Sequence, residues 1–259
     1  MEQERTALVT GGSSGIGLAI ARNLAEGGLR VFICARHAEN VEAAVDKLRG
    51  EGLEVDGAVC DVRRVPDVNT LVTTVIERYG PIDVLVNNAG RSGGGVTAQI
   101  PDEEWDDVID TNLNSVFRVT RAVLTLGKMS TRPTGRIINI ASTGGKQGVV
   151  LGAPYSASKH GVIGLTKALG LELAKTGVTV NAICPGYVET PMAERVRVGY
   201  ANVWDISESD VLERFEAKIP LGRYSTPEEV AGLATYLVSD TAASITAQAL
   251  NVCGGLGNY

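Results

Sequence analysis

The sequence predicts one α/β domain built on a parallel sheet with helices over both faces, and three observations carry that prediction. Short apolar, β-branched runs alternate with stretches of helical periodicity along the 259 residues, as strands buried on both faces require. Glycine supplies 31 of the 259 positions, about 12% against a usual ~7%, so the backbone turns tightly or approaches something closely at many points. No repeat, low-complexity stretch or Pro/Ser-rich linker divides the chain, so residues 1–259 read as a single domain.

The elements follow in order. Thr6–Thr10 is a strand closed by Gly11-Gly12, and Ile16–Leu24 continues as a helix. Arg30–Cys34 is the second strand, followed by a charged helix over Asn40–Arg49, and Val55–Val59 is a weaker third strand. From Val68 the apolar positions Leu71, Val72, Val75, Ile76 and Tyr79 have helical spacing. Val84–Val86 is strand four, Glu103–Leu126 is helical, and Arg136–Ile140 is strand five. A helix starts near Tyr155 with Val162, Leu165, Leu169 and Leu173 on one face. Thr179–Ile183 is strand six and Ala249–Val252 the last strand. Between them residues 192–219 break the rhythm, with Tyr200, Trp204 and Phe215 among many charges. An insertion after a strand's carboxyl end is expected to act as a helical lid, since ligands of such sheets bind there; the alternative is a helical pair packed on the core.

Composition narrows the function. With 24 Lys+Arg against 30 Asp+Glu the net charge is −6, so neither nucleic acid nor an anionic membrane is the expected partner. Cys34, Cys60, Cys184 and Cys253 form no CxxC pair, which argues against a zinc site and makes each thiol a small buried hydrophobe. The absence of a disulfide framework, of a signal-like start and of any ~18-residue apolar run points to the cytoplasm. The two histidines, His37 and His160, lack the partners of a metal site or hydrolytic triad, and Trp105 reads as a packing residue of an acidic helix.

The first turn, Thr10-Gly11-Gly12-Ser13-Ser14-Gly15-Ile16-Gly17, places glycines between a strand and a helix. Gly11 permits the tight turn, Gly15 lets backbone approach a pyrophosphate, and Gly17 allows close helix–sheet packing, while the helix N-terminus offers free N–H groups. That is a dinucleotide site. Strand two ends Cys34-Ala35-Arg36-His37, without the carboxylate that an NAD ribose takes. Arg36, helped by Ser13 or Ser14, suits the 2′-phosphate of NADPH/NADP+.

Ser142 ends strand five, Tyr155 follows 13 residues later, and Lys159 stands four beyond it, on the same helical face. A phenol with a pKa near ~10 is a weak acid–base group at neutral pH, and an adjacent ammonium is expected to lower that value. Ser142 is placed to hydrogen-bond a substrate carbonyl.

With Thr10–Gly17, Asp61, Asn87–Gly90, Asn112, Ser142, Tyr155-Ser156-Ala157-Ser158-Lys159 and Pro185-Gly186, the chain resembles the short-chain dehydrogenase/reductase family over nearly its whole length. The resemblance implies a Rossmann-type fold with a seven-stranded sheet, usually a homotetramer. It implies that Asp61, beside Val62, meets the adenine amine, and that Asn88, Ala89 and Gly90 line the adenosine ribose. Lys159 would hold the nicotinamide ribose, Asn112 would seat a relay water leading through Lys159 to Tyr155, and Pro185, Gly186, Val188 and Thr190 would flank the carboxamide.

The segments Asn88–Gly95, Ala141–Val150 and Ala249–Tyr259 are similar to the ketoreductases of bacterial type II (aromatic) polyketide synthases. That similarity implies NADPH-dependent reduction of one ketone, typically C9, of a poly-β-keto chain on an acyl carrier protein, in antibiotic biosynthesis. It puts Ser92, Gly93, Gly94, Ser142, Gln147 and Val149, with Tyr200 of the lid, against the substrate. Ser92 stands where that group often has proline, which leaves the attacked carbonyl face open. Arg36, Arg63, Arg64 and Arg91 follow the carboxyl ends of strands two to four, and so are expected on one rim as a docking patch for an acidic carrier. The competing readings are a 3-oxoacyl-acyl-carrier-protein reductase of fatty-acid synthesis and a non-catalytic dinucleotide-sensing scaffold.

Overall fold

Among the described residues, seven parallel strands make one sheet: β1 (Thr6–Thr10), β2 (Arg30–Ala35), β3 (Val55–Val59), β4 (Val84–Asn87), β5 (Gly135–Ile140), β6 (Val178–Pro185) and β7 (Ala249–Val252). Their spatial order is β3-β2-β1-β4-β5-β6-β7, and every neighbouring pair is parallel. The computed structural model describes residues 5–259. Because the order reverses between β1 and β4, the connections leave in opposite directions there, and a crevice opens at the strands' carboxyl ends.

Alternation along the strands fills two cores. In β1, Ala7 and Val9 face one side, where they meet α1 (Gly15–Glu26), α2 (Ala38–Gly50) and α9 (Pro227–Val238); Leu8 faces the other, toward α3 (Val65–Tyr79) and α5 (Ser115–Thr125). The long helix α6 (Ala153–Glu172) lies on that second side and buries Val162 and Ile163 against Ala182 and Cys184 of β6. All four cysteines are free and buried, as read from the sequence. Among the described residues no helix is long and apolar enough to cross a membrane.

Two departures from the sequence reading bear on the site. The expected helix over 103–126 is α4 (Asp102–Ile109) continued into α5, with one widened π turn, Asp110–Asn114, between them. Trp105, expected to pack, is 42% exposed on α4. The insertion forms α7 (Pro191–Trp204) and α8 (Glu208–Glu216), joined through Asp205 in the left-handed region at φ +53°. These helices have an aromatic core of their own: Tyr187 stacks on Phe215 at 4.8 Å and on Tyr224 at 5.2 Å.

Candidate active site

The glycine loop closes on the end of β4. Gly11 has φ +64°, and a Cβ there would stand 2.9 Å from Ala89 Cα; one on Gly17 would stand 2.3 Å from the Gly11 carbonyl oxygen. Gly12 is just as constrained, since its Cβ would fall 2.7 Å from Ile33, a requirement that pattern reading missed. Thr10 Oγ1 accepts from the Asn88 and Ala89 N–H groups at 3.0 and 3.1 Å, and Asn88 Nδ2 donates to the Thr10 and Gly11 carbonyls at 3.0 Å. The polar atoms of Thr10 and Asn88 therefore staple the two loops together. In this loop Ser14 is exposed, while Ser13 and Ile16 are half-buried. Ser14 caps α1 in backbone only, with no side-chain bond to the first turn, so that turn keeps its N–H groups available.

Across the crevice stands the segment after β6. A Cβ on Gly15, at φ +51°, would meet the Thr190 methyl at 3.2 Å, so the two walls are nearly in contact. Val188 is buried and bridges to Ser225, and the Thr190 hydroxyl caps α7 by accepting from Ala193 N–H. Pro185 ends β6, and Gly186 follows it tightly packed: a Cβ there would lie 2.9 Å from that of Cys253.

At the carboxyl ends of β2, β3 and β4 the charges are arranged unevenly. Arg63 grips Asp61 through Nε at 3.0 Å and Nη2 at 2.6 Å, and holds the Asp61 carboxyl below the usual carboxylate range, with Arg36 adding to the effect. Val62 is buried beside it. Arg63 and Arg91 also converge on Asp107, one on each oxygen, and Arg91 pairs with Glu104 at 2.9 Å. Arg64 is mostly exposed and lies 3.6 Å from Asp67. The arginines expected on one rim do gather there, but Arg63 and Arg91 arrive already neutralised. Arg36 is exposed at the end of β2 with no ion pair among the described residues.

The π turn presents Asn112 to the site. Its Oδ1 accepts from the Arg91 N–H at 2.8 Å, while Nδ2 donates to the Arg91 carbonyl at 2.9 Å and to Ser158 Oγ at 3.1 Å. One extra residue in a helical turn re-aims a side chain in this way. A Cβ on Gly90 would be 3.3 Å from Asn112 Oδ1 and 3.7 Å from Lys159 Nζ, so both groups close on the same point of backbone. Lys159 is buried, donates to the Ile140 carbonyl at 2.8 Å, and stands 5.8 Å from the centre of the Tyr155 ring. Ser142 Oγ accepts from Gly144 N–H at 2.9 Å, and its hydroxyl favours the ionised form of the nearby Tyr155 phenol.

The electrostatics differ from the expectation for Tyr155. Burial pushes its phenol up, and the Ser142 hydroxyl offsets that rise in part; burial likewise pulls Lys159 down to about 8. Each charged form loses water, and in the protein alone that penalty exceeds the help one gives the other. The consequence is useful: Tyr155 keeps its proton at neutral pH, the form from which it can act as an acid.

Several of the residues expected to meet the substrate are tied to one another in the structure. A Cβ on Gly144 would lie 2.9 Å from Val149 and 3.2 Å from Tyr155, which places Val149 close to the Tyr155 ring. Gly93 and Gly94 are sterically required: a Cβ would fall 2.3 Å from Val108 in the first case and 2.0 Å from the Leu151 oxygen in the second. Gly95 N–H donates to that same Leu151 carbonyl at 2.7 Å, and Tyr200 hydroxyl donates to Val150 oxygen at 2.8 Å. The loop of Ser92, the loop of Val149 and the insertion are thus tied to one another. Gln147 is exposed.

Sequence reading missed the polar ladder beneath the site. Asn87 donates to Thr120 at 3.0 Å and to Asn139 at 2.9 Å, and Asn139 donates to Thr166 at 2.9 Å, tying β4 and β5 to α5 and α6. The asparagine inside the apolar run of β5 was the available signal.

Three comparisons bear on this geometry. A family model described as short chain dehydrogenase matches residues 5–201. A ketoacyl reductase assigned to the monensin polyketide synthase of Streptomyces virginiae is 71% identical over 98% of each chain. A crystal structure of an actinorhodin polyketide ketoreductase variant with NADPH superposes with a TM-score of 0.98 at 61% identity, covering 100% of this chain and 99% of that one. A 3-oxoacyl-acyl-carrier-protein reductase of Staphylococcus aureus is more distant, at 37% identity over 99% of each chain.

Proposed function

The chain belongs to the short chain dehydrogenase family, and from that premise we propose that it is an NADPH-dependent ketoreductase that reduces one ketone of a polyketide intermediate to a secondary alcohol. The observation that carries the reading is the convergence of Asn112, Ser142, Tyr155 and Lys159 beside a glycine-lined crevice, in a chain 71% identical to a polyketide ketoacyl reductase. The crevice fits the cofactor: no side chain could be added at Gly11 or Gly17, the first turn of α1 keeps its N–H groups, and Arg36, with no ion pair among the described residues, is a cation where a 2′-phosphate would lie.

Bound NADPH supplies the hydride that goes to the carbonyl carbon. Ser142 donates a hydrogen bond to the carbonyl oxygen and orients it. Tyr155, held protonated by burial, gives that oxygen its proton as negative charge develops. Lys159 positions the nicotinamide ribose and, with Asn112, returns a proton to Tyr155. Asp61 takes the adenine, Asn88–Gly90 and Pro185–Thr190 line the nucleoside, and Ser92–Gly94, Gln147, Val149 and Tyr200 face the substrate. Tyr155→Phe removes the proton donor alone: reduction should fall at least ~10²-fold while NADPH still binds, measured by single-turnover absorbance and fluorescence titration. A variant keeping a tenth of the wild-type rate contradicts the assignment.

The reading extends to an aromatic poly-β-keto substrate on an acyl carrier protein and to C9 as the site of reduction. The carrier would dock on the rim of Arg36, Arg63 and Arg91, where an acidic partner would compete with Asp107 and Glu104 for two of the arginines. A homotetramer is the matching assembly, supported by Phe117 and Leu171, 48% and 73% exposed on α5 and α6. Preference for a bicyclic ketone over a short acetoacetyl thioester separates this reading from the fatty-acid one; the opposite preference overturns it.

A further inference from the structure

Two segments single this chain out in sequence, Ala141–Val150 and Ala249–Tyr259, and the chemistry above leaves most of their distinctive side chains unused. In the structure they meet. Lys146 Nζ donates to the Ala249 carbonyl and to Asn251 Oδ1, both at 2.8 Å, and stands 5.6 Å from the centre of the Tyr259 ring. Asn251 Nδ2 donates to the Gly257 carbonyl at 2.8 Å, and the Tyr259 hydroxyl reaches the Thr143 carbonyl at 3.5 Å. The loop after β7 is folded back over the turn that follows Ser142.

That turn is wedged from the other side. A Cβ on Gly145 would lie 2.6 Å from the Lys159 carbonyl, so the turn rests directly on the catalytic helix. Ser142 is bonded to its Gly144 N–H, and Val149 packs against Gly144. A shift of the turn away from α6 therefore moves the Ser142 hydroxyl and the Val149 wall together. Lys146 opposes that shift with two charge-assisted hydrogen bonds, the stronger kind, to a strand fixed in the sheet.

We propose that Lys146 is a positioning residue. With Asn251 and Tyr259 it latches the 142–149 loop at the depth where Ser142 meets the carbonyl and Val149 limits the poses a ketone can take. The latch is a determinant of carbonyl-face selection in this enzyme, and it touches no reacting atom. The proposal rests on the ketoreductase reading of the site.

The test compares wild type, Lys146→Met, Asn251→Ala and the double variant with a prochiral bicyclic ketone. Lys146→Met should lose about tenfold in kcat/KM, equivalent to ~1.4 kcal/mol. Its product should shift toward a mixture of the two alcohol enantiomers, while the NADPH dissociation constant stays within about twofold. The double variant should be no worse than Lys146→Met, because both changes open one latch. An unchanged enantiomer ratio, or losses that simply add, overturns the proposal. If Lys146→Met does not fold, Asn251→Ala decides by the same enantiomer ratio. A wild-type chain that reduces no ketone with NADPH overturns the underlying reading, and shows it without any variant.

Discussion

Replacing Arg197 with methionine tests how the insertion is anchored to the cofactor crevice. Arg197, on α7, is 7% exposed. Its Nη1 and Nη2 meet Glu189 at 3.0 and 2.9 Å, its Nε meets Glu208 at 3.0 Å, and its guanidinium carbon lies 5.6 Å from the centre of the Tyr224 ring. Those carboxylates hold the guanidinium firmly charged, burial notwithstanding. Breaking a buried pair costs ~3–5 kcal/mol when the remaining charge is trapped. Here it is not trapped: the Glu189 and Glu208 side chains are 53% and 43% exposed and regain water. The expected cost is therefore nearer ~2 kcal/mol, or a fall of about 4–8 °C in Tm for a domain of this size. Glu189 precedes Thr190, the residue facing Gly15, so KM for NADPH should rise a few-fold as well. Thermal unfolding followed by circular dichroism, with NADPH kinetics alongside, measures both. Arg197→Lys should recover at most part of the loss, because an ammonium cannot fork between two carboxylates. A Tm shift below about 1 °C for Arg197→Met, on the same size scaling, would refute the anchoring argument.

Arg36→Ala should weaken NADPH binding by about tenfold, the low end for an exposed charge-assisted pair, and leave NADH within about twofold; fluorescence titration of both cofactors checks it, and equal losses would assign Arg36 a structural role. Reduction consumes a proton, and Lys159 titrates at about 8 while Tyr155, raised by burial, keeps its proton through that range. The kcat/KM for reduction should therefore be level below that pH and fall as pH rises above it; a level profile to about pH 9.5 would contradict the relay through Lys159.

Much of this was legible in residue order. The alternation of apolar runs with helical periodicity is local, and it carried the seven strands, the helices between them and the parallel sheet. The glycine loop and Arg36 were legible because their chemistry acts within one turn of chain, and Tyr155 and Lys159 because they share one helical face; Ser142, 13 residues earlier at the end of β5, was legible only through its spacing to them. Asn112 was found by motif, but the π turn that aims it was not, because widening a helix by one residue leaves the apolar pattern nearly unchanged. Trp105 carried the residue type of a packing position and stands exposed, since a side chain's neighbours come from other elements.

What only the tertiary structure decided is which distant groups share a charge or a void. Sequence identified Arg63 and Arg91 as cations on one rim; folding brought Asp107 between them and neutralised both, leaving Arg36 without an ion pair among the described residues. The phenol of Tyr155 rises and the ammonium of Lys159 falls because desolvation depends on what surrounds a group in three dimensions. Lys146 and Asn251, 105 positions apart, meet because β7 pairs beside β6 and returns the later chain to the turn after Ser142. Local pattern determined the elements and the reactive residue types, whereas long-range packing set their ionisation, their pairing and their aim, since Coulomb and desolvation energies depend on distance in space and not along the chain.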